Sequence, residues 1–455
     1  MNEATRTLHL ARGLTPDGWR QNVRLTMRSG VIAAVDMDAL AQPSDERHAV
    51  GLPGIANLHS HAFQRAIAGL TERRGPSRDT VWTWREAMYR FALTMTPDQA
   101  EAVAAQAYVE MLESGFTRVG EFHYLHHAPD GSPYADIAEM SARIAAAAQA
   151  TGIGLTLLPV FYAHSGFGGA PPTAGQRRFI CDLGQFARLV EAARAIAAHL
   201  DGGNIGIAPH SLRAVTPAEL ASVCGVAHEE PIHIHAAEQI AEVDACLATL
   251  GARPVEWLLD NAGVDARWCL IHATHMTRDE TRRLAASGAV AGLCPITEAN
   301  LGDGTFNASA FIGHDGRIGI GTDSNVRIAL PEELRQLEYS QRLTLRARNI
   351  LSKSGGSTGR ALFDSALIGG ATALGRPVAG LAVGADADIV TLRSADFDMA
   401  QRDADEILDT WIFAGGAAVD CVYARGRLVA RDGAHVARGP IGERFRATMR
   451  RLHAA

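Results

Sequence analysis

From residue 51 onward, eight apolar runs of β type alternate with Ala-, Glu- and Arg-rich amphipathic segments, and this alternation constrains the fold more than any other feature of the chain. A strand followed each time by a helix can be satisfied only by a parallel sheet with helical crossovers. The runs are GLPGIANLH (51–59), TRVGEF (117–122), IGLTLLPVF (153–161), NIGIAPH (204–210), PIHIHAAE (231–238), WCLIHATH (268–275), AVAGLCP (289–295) and RIGIGTD (317–323). Eight such units predict an α/β fold of the (β/α)8 TIM-barrel type. The flanks read differently. Residues 1–50 carry short β-like runs (LHLA, NVRLTM, VIAAV), and the β texture returns in GLAVGADADIVTL and CVYARGRLVARDG after a helical stretch ending near residue 375. The expected organisation is a barrel over 51–378 inserted into a small β-sandwich domain built from 1–50 and 379–455.

Composition narrows the function classes. With 455 residues, 47% hydrophobic and 20% charged, the chain can bury a large core. A formal net charge of -7 and the absence of a basic run argue against nucleic acid and membrane surfaces as partners. No stretch reaches the ~20 apolar residues that span a bilayer, and the N-terminal sequence lacks signal-peptide order, so a cytoplasmic protein is expected. The six cysteines never pair as CxxC and are read as reduced thiols. Of 43 basic residues only Lys353 is lysine, in the Ser- and Gly-rich LSKSGGSTG, which disfavours any mechanism needing a nucleophilic or metal-bridging lysine.

Histidines and acids fall at the C-terminal ends of the predicted strands, the end where barrel enzymes place their active sites. The first strand ends His59-Ser60-His61, and a strand period of two turns both imidazoles to one side. The fifth gives His235 with Glu238 three residues on, the sixth His272, and the eighth Asp323. His59, His61, His235 and Asp323 make a mixed nitrogen and oxygen site for one divalent ion, Zn2+ by preference, with Fe2+ or Mn2+ as alternatives. An HxH alone is a weak signal; HxH, HxxE and TDS at successive strand ends are specific together. A cation so held lowers the pKa of a bound water toward ~7. Glu238 is then placed to shuttle protons, Asp323 to ligate and accept one, and His272 to orient the water or stabilise the intermediate. The competing reading of Glu238 is a helix N-terminal carboxylate that satisfies backbone amides.

Substrate contacts are sought in the barrel-mouth loops. These carry Gln64, the segment VWTWREAMYR with Arg85, EFHYLHH with Tyr124, and APHSLRAV with His210 and Arg213. Two arginines with a tyrosine and a histidine suit a ligand with two carboxylates. Arg213, three residues past a strand end, is the stronger of the two; Arg85 equally suits a solvated loop. Phe63, Trp82 and Trp84 either line the pocket or pack the loop's own core.

LPGIANLHSH, HIHAAE, CLIHATH and GIGTDS, in this order, resemble the metal-dependent amidohydrolase superfamily over nearly the whole chain, and in particular its mononuclear deaminase branch. Members with two metals carry a bridging lysine on the fourth strand; none stands there, so the resemblance implies one metal. Four further segments, HSHAFQRA, WTWR, FHYLHH and PHSLRAV, are similar to the formimidoylglutamate deiminase family of histidine degradation. That likeness implies hydrolysis of N-formimidoyl-L-glutamate to N-formyl-L-glutamate and ammonia, with Gln64, Arg85, Tyr124, His210 and Arg213 touching the substrate. The alternatives are a nucleobase or nucleoside deaminase on the same scaffold, and a catalytically silent binding homologue. The expected partners are a small dicarboxylate and, in a homodimer, a second copy of the chain.

Overall fold

The computed structural model describes residues 5–75, 81–378, 380–394, 399–415 and 418–454. The amino-terminal strands β1 (Arg6–Thr15), β2 (Gly18–Arg28), β3 (Val31–Asp36) and β4 (Glu46–Pro53) precede the barrel. The barrel strands are β5 (Ile55–Ser60), β6 (Phe116–His123), β7 (Gly154–Phe161), the split pair β8 (Asn204–Ile205) and β9 (Ala208–Pro209), β10 (Ile232–Ala236), β11 (Trp268–His272), β12 (Val290–Leu293) and β13 (Arg317–Ile320). The chain then adds β14 (Ile389–Leu392), β15 (Val419–Ala424), β16 (Arg427–Arg431) and β17 (Ala434–His435). The two ends join in one eight-stranded sheet of order β17-β16-β15-β14-β4-β1-β2-β3, in which β14 runs antiparallel to β4.

The barrel is parallel throughout and closes through isolated bridges: Ser60 with Asp323 joins the last strand to the first, and Ile207 with Ile232 and Ser211 with His235 join the fourth to the fifth. The helices between strands start where their sequences say they should. Thr96 with Gln99, Asp182 with Gln185, Thr216 with Glu219 and Thr277 with Glu280 form reciprocal capping boxes. Gly115, Gly152, Gly251 and Gly288 end helices in the left-handed conformation that glycine adopts without strain. Inside the barrel Leu58 and Ile271 are fully buried, each such side chain contributing ~1.5–3 kcal/mol.

Two details differ from the sequence reading. GLPGIANLH is not one strand: it divides at Gly54, with Leu52 and Pro53 paired to β14 and Ile55 starting the barrel. A Cβ at Gly54 would collide with Thr117, so the crossing needs glycine. The C-terminal portion, read as strands, also ends in a helix, Arg438–Ala454, which packs on the barrel helix Pro97–Ser114. Arg118 ties barrel to sheet, its Nε 2.9 Å from Asp388 and its Nη2 2.6 Å from Asp386, which also takes Arg376 at 2.7 Å.

Candidate active site

At the C-terminal end of the barrel, His59, His61, His235 and Asp323 bring one ligand atom each into a common cluster. His59 Nε2 lies 3.2 Å from both His61 Nε2 and His235 Nε2, and Asp323 Oδ1 is 3.1 Å from His61 Nε2 and 3.4 Å from His59 Nε2. The far side of two rings explains the arrangement. His61 Nδ1 donates to the Phe122 carbonyl at 2.9 Å and His235 Nδ1 to the His210 carbonyl at 3.0 Å, so in neutral rings both Nε2 lone pairs point inward. Burial, opposed by Asp323, holds His59 down at about 3, and burial with neighbouring imidazoles drives His235 well below its ordinary value. Asp323 stays ionised because the His59 and His61 contacts outweigh burial. Three imidazole nitrogens and one carboxylate oxygen brought this close match a divalent ion. A second His/Asp/Cys group, His48, Asp420 and Cys421, lies in the terminal sheet, where His48 Nδ1 is 3.7 Å from Asp420 Oδ2 and its Nε2 is 2.9 Å from the Tyr423 hydroxyl.

His272 stands beside this cluster between acids. Its Nδ1 is 3.2 Å from Glu298 Oε1, and its Nε2 is 3.9 Å from Glu238 Oε1 and 3.8 Å from Asp323 Oδ2. Burial disfavours its charge, yet Glu238, Glu298 and Asp323 together push it up to about 10. Glu238 is itself raised, by burial first, with His272 pulling the other way. Its carboxylate lines the pocket and does not satisfy helix amides. The amides of the turn before that helix go to Glu242, which sequence reasoning missed: Oε1 accepts from Ala237 N at 3.3 Å and Oε2 from Glu238 N at 3.0 Å.

The pocket above the cluster is lined by Gln64, Arg85, Tyr124, His210 and Arg213, together with Trp84, Met88, Tyr89, Tyr162, Phe179, Gln239 and Leu301. Gln64 Nε2 donates to the Tyr124 hydroxyl at 2.8 Å, which leaves Gln64 Oε1 buried without a protein partner. Arg213 Nη1 is 3.4 Å from the Tyr162 hydroxyl, which Gln176 also holds at 2.9 Å. Tyr162 directly follows the third apolar run, a position that could have flagged it. Arg85 lies over the Tyr89 ring, on the helix Val81–Ala92. The carboxyl end of that helix is gripped by buried Arg178, which donates to the carbonyls of Ala92, Met95 and His127. Phe63 packs against Tyr124 in the loop's own core, and the side chain of Trp82 falls outside the described residues.

A parallel eight-stranded barrel with a three-histidine, one-aspartate cluster at its carboxyl face defines a metal-dependent hydrolase, and the chain belongs to the Amidohydrolase family, which matches residues 50–429. Residues 5–49 match the family described as formimidoylglutamate deiminase HutF, N-terminal domain. The formimidoylglutamate deiminase of Pseudomonas aeruginosa is 51% identical over 428 residues, covering 93% of this chain and 94% of the relative. The 8-oxoguanine deaminase of the same organism is 30% identical over 363 residues, 76% of this chain and 75% of the relative. A solved amidohydrolase from Brucella melitensis superposes with a TM-score of 0.96 at 57% identity, over 98% of this chain and 100% of that one. An adenosine deaminase from Xanthomonas campestris with bound zinc shares the fold, with a TM-score of 0.82 at 19% identity over 99% and 98% of the two chains.

Proposed function

We propose that this chain hydrolyses N-formimidoyl-L-glutamate to N-formyl-L-glutamate and ammonia, as a step of histidine degradation. The observation that carries this reading is the placement of two guanidinium groups, Arg85 and Arg213, in one pocket with the histidine cluster at its floor. Each can take a carboxylate bidentately. A nucleobase pocket would have no use for two such cations.

The cluster fits a divalent ion, and zinc is the proposed one, because imidazole nitrogens and a carboxylate oxygen are donors it takes; His59, His61, His235 and Asp323 would hold it. Such an ion supplies ionised water at neutral pH. The side chains do the rest. Gln64 Oε1 offers an acceptor to an amidine N–H, and Arg85, Arg213, Tyr124 and His210 hold the glutamyl portion. Glu238 takes a proton from the attacking water and passes it to the imino nitrogen as the C–O bond forms and the C=N π pair moves onto that nitrogen; it then carries the remaining hydroxyl proton to the same nitrogen, so that the formyl C=O forms as the C–N bond breaks and ammonia leaves. His272, set between Glu238 and Glu298, stabilises negative charge developing on the attacking oxygen. The same reading takes a homodimer as the working assembly, which light scattering checks.

The test is ammonia release by the zinc-loaded protein across formimidoyl amino acids, guanine, 8-oxoguanine and adenosine. Turnover of formimidoylglutamate well above formimidoylglycine and the purines is expected. Preference for a purine would overturn the reading.

A further inference from the structure

Glu242 occupies a position that the reaction as described does not use. It is the third residue of the helix Ile240–Leu250, it is buried, and it lines the pocket. One oxygen receives the amide of Ala237 and the other that of Glu238. Ala237 has φ 52°, a left-handed conformation that a residue with a Cβ adopts at a cost. That turn ends strand β10 and sets the Cα from which Glu238 reaches the reaction centre. Both outward-facing amides of the strained turn are thus held by a single carboxylate. Glu242 and Arg213 line the same pocket; burial raises the Glu242 carboxyl to about 7, against the pull of the Arg213 charge, which favours its ionised form.

We propose that Glu242 is a positioning residue with two separable effects: its two oxygens fix the turn that presents Glu238, and its charge competes with substrate carboxylate for Arg213. The inference rests on the dicarboxylate reading for its second half only. The first half depends on reach and the second on charge, so two substitutions divide them. Glu242→Asp keeps the charge but is too short to hold both amides. Glu242→Gln keeps the length and one acceptor but discards the charge.

The experiment uses the metal-loaded protein and three readouts: kcat, KM for formimidoylglutamate, and hydrogen exchange of the peptide covering 236–240. Glu242→Asp is expected to lower kcat on the order of ten-fold or more with KM within two-fold of the parent, and to accelerate exchange at Ala237 and Glu238. Assayed above pH 7, where the Glu242 carboxyl is ionised, Glu242→Gln is expected to lower KM by several-fold, with a smaller fall in kcat and intermediate exchange. Tighter binding of glutarate by Glu242→Gln, measured by calorimetry, reports the charge effect without turnover. Identical behaviour of the two variants, or unchanged exchange in Glu242→Asp, overturns the proposal. A parent that turns over no formimidoylglutamate and binds no glutarate overturns the charge competition along with the functional reading, while the exchange arm still decides the turn-holding role.

Discussion

The amide of His61 donates to the carbonyl of Asp323 at 2.9 Å, and the amide of Asp323 returns to the carbonyl of His59 at 3.0 Å. The backbone seam that closes the barrel and the side-chain cluster at its mouth are therefore made by the same residues. Anything that loosens the seam disperses the donor atoms, and a cation held by those atoms locks the seam.

Metal content and stability should follow from that coupling. Elemental analysis is expected to find about one tightly bound divalent ion per chain. Exhaustive chelation should abolish activity and lower the melting temperature, since an ion at 100 times its Kd stabilises the folded state by ~2.7 kcal/mol. Two ions per chain, or a melting curve indifferent to chelation, would refute the assignment.

Glu238→Gln should bind metal normally and lose a factor on the order of 10² or more in kcat, the usual contribution of a positioned acid and base. Near-parental turnover would leave its carboxylate with no part in proton transfer.

Arg213→Met removes a charge-assisted contact worth about 1.5–3 kcal/mol, so kcat/KM should fall roughly ten- to 150-fold. The variant should also lose most of the parent's discrimination against the substrate amidated at the matching carboxyl. A parent that handles the diacid and both monoamides alike has no two-carboxylate pocket.

Acid stability offers a check on the terminal sheet. Burial alone would raise the Asp45 carboxyl, but Arg24, at 3.0 Å, and the Gln42 amide, at 2.8 Å, hold it at about 2 instead of 3.8. A folded-state value below the unfolded one stabilises fully above about pH 4, and the benefit fades as the pH falls toward 2. Asp45→Asn should therefore lower stability at neutral pH, and its deficit in denaturant titrations should shrink on acidification. A deficit independent of pH would mean that the ionised pair is not its source.

Gly369 presses against the barrel so closely that a Cβ there would overlap the Ile318 carbonyl oxygen. Gly369→Ala should cost ~1–3 kcal/mol, despite alanine's better helix propensity, by prising the helix Thr358–Ala373 off strand β13. Measured stabilisation would contradict the packing described.

The barrel and its cluster were legible because their signals are local: an apolar run eight times over, with a histidine or an acid at the carboxyl end of five of them. The donor spacing His59-Ser60-His61 needs only the period of a strand. Glu242 was hidden because its importance depends on where Ala237 and Glu238 aim their amides, which no spacing records, although it stands only four residues after Glu238 in the first turn of the helix that follows. The terminal helix was hidden by composition. Its arginines mask an apolar stripe of Ile441, Phe445, Met449 and Leu452, which recurs with helical period and meets the barrel. Gly54 divides a single apolar run between two sheets, and only the nearness of Thr117 reveals why.

The grip of Arg178 on the end of the helix Val81–Ala92 makes that helix a lever. Arg85 lies seven residues before Ala92, about 10 Å along the axis at ~1.5 Å per residue. A tilt of about 10° at the clamp sweeps Arg85 through roughly 2 Å, enough to make or break a bidentate contact. The position of Arg85 relative to Arg213 thus depends on a buried arginine behind the pocket wall, and under the proposed dicarboxylate reading that position would set the length of diacid accepted.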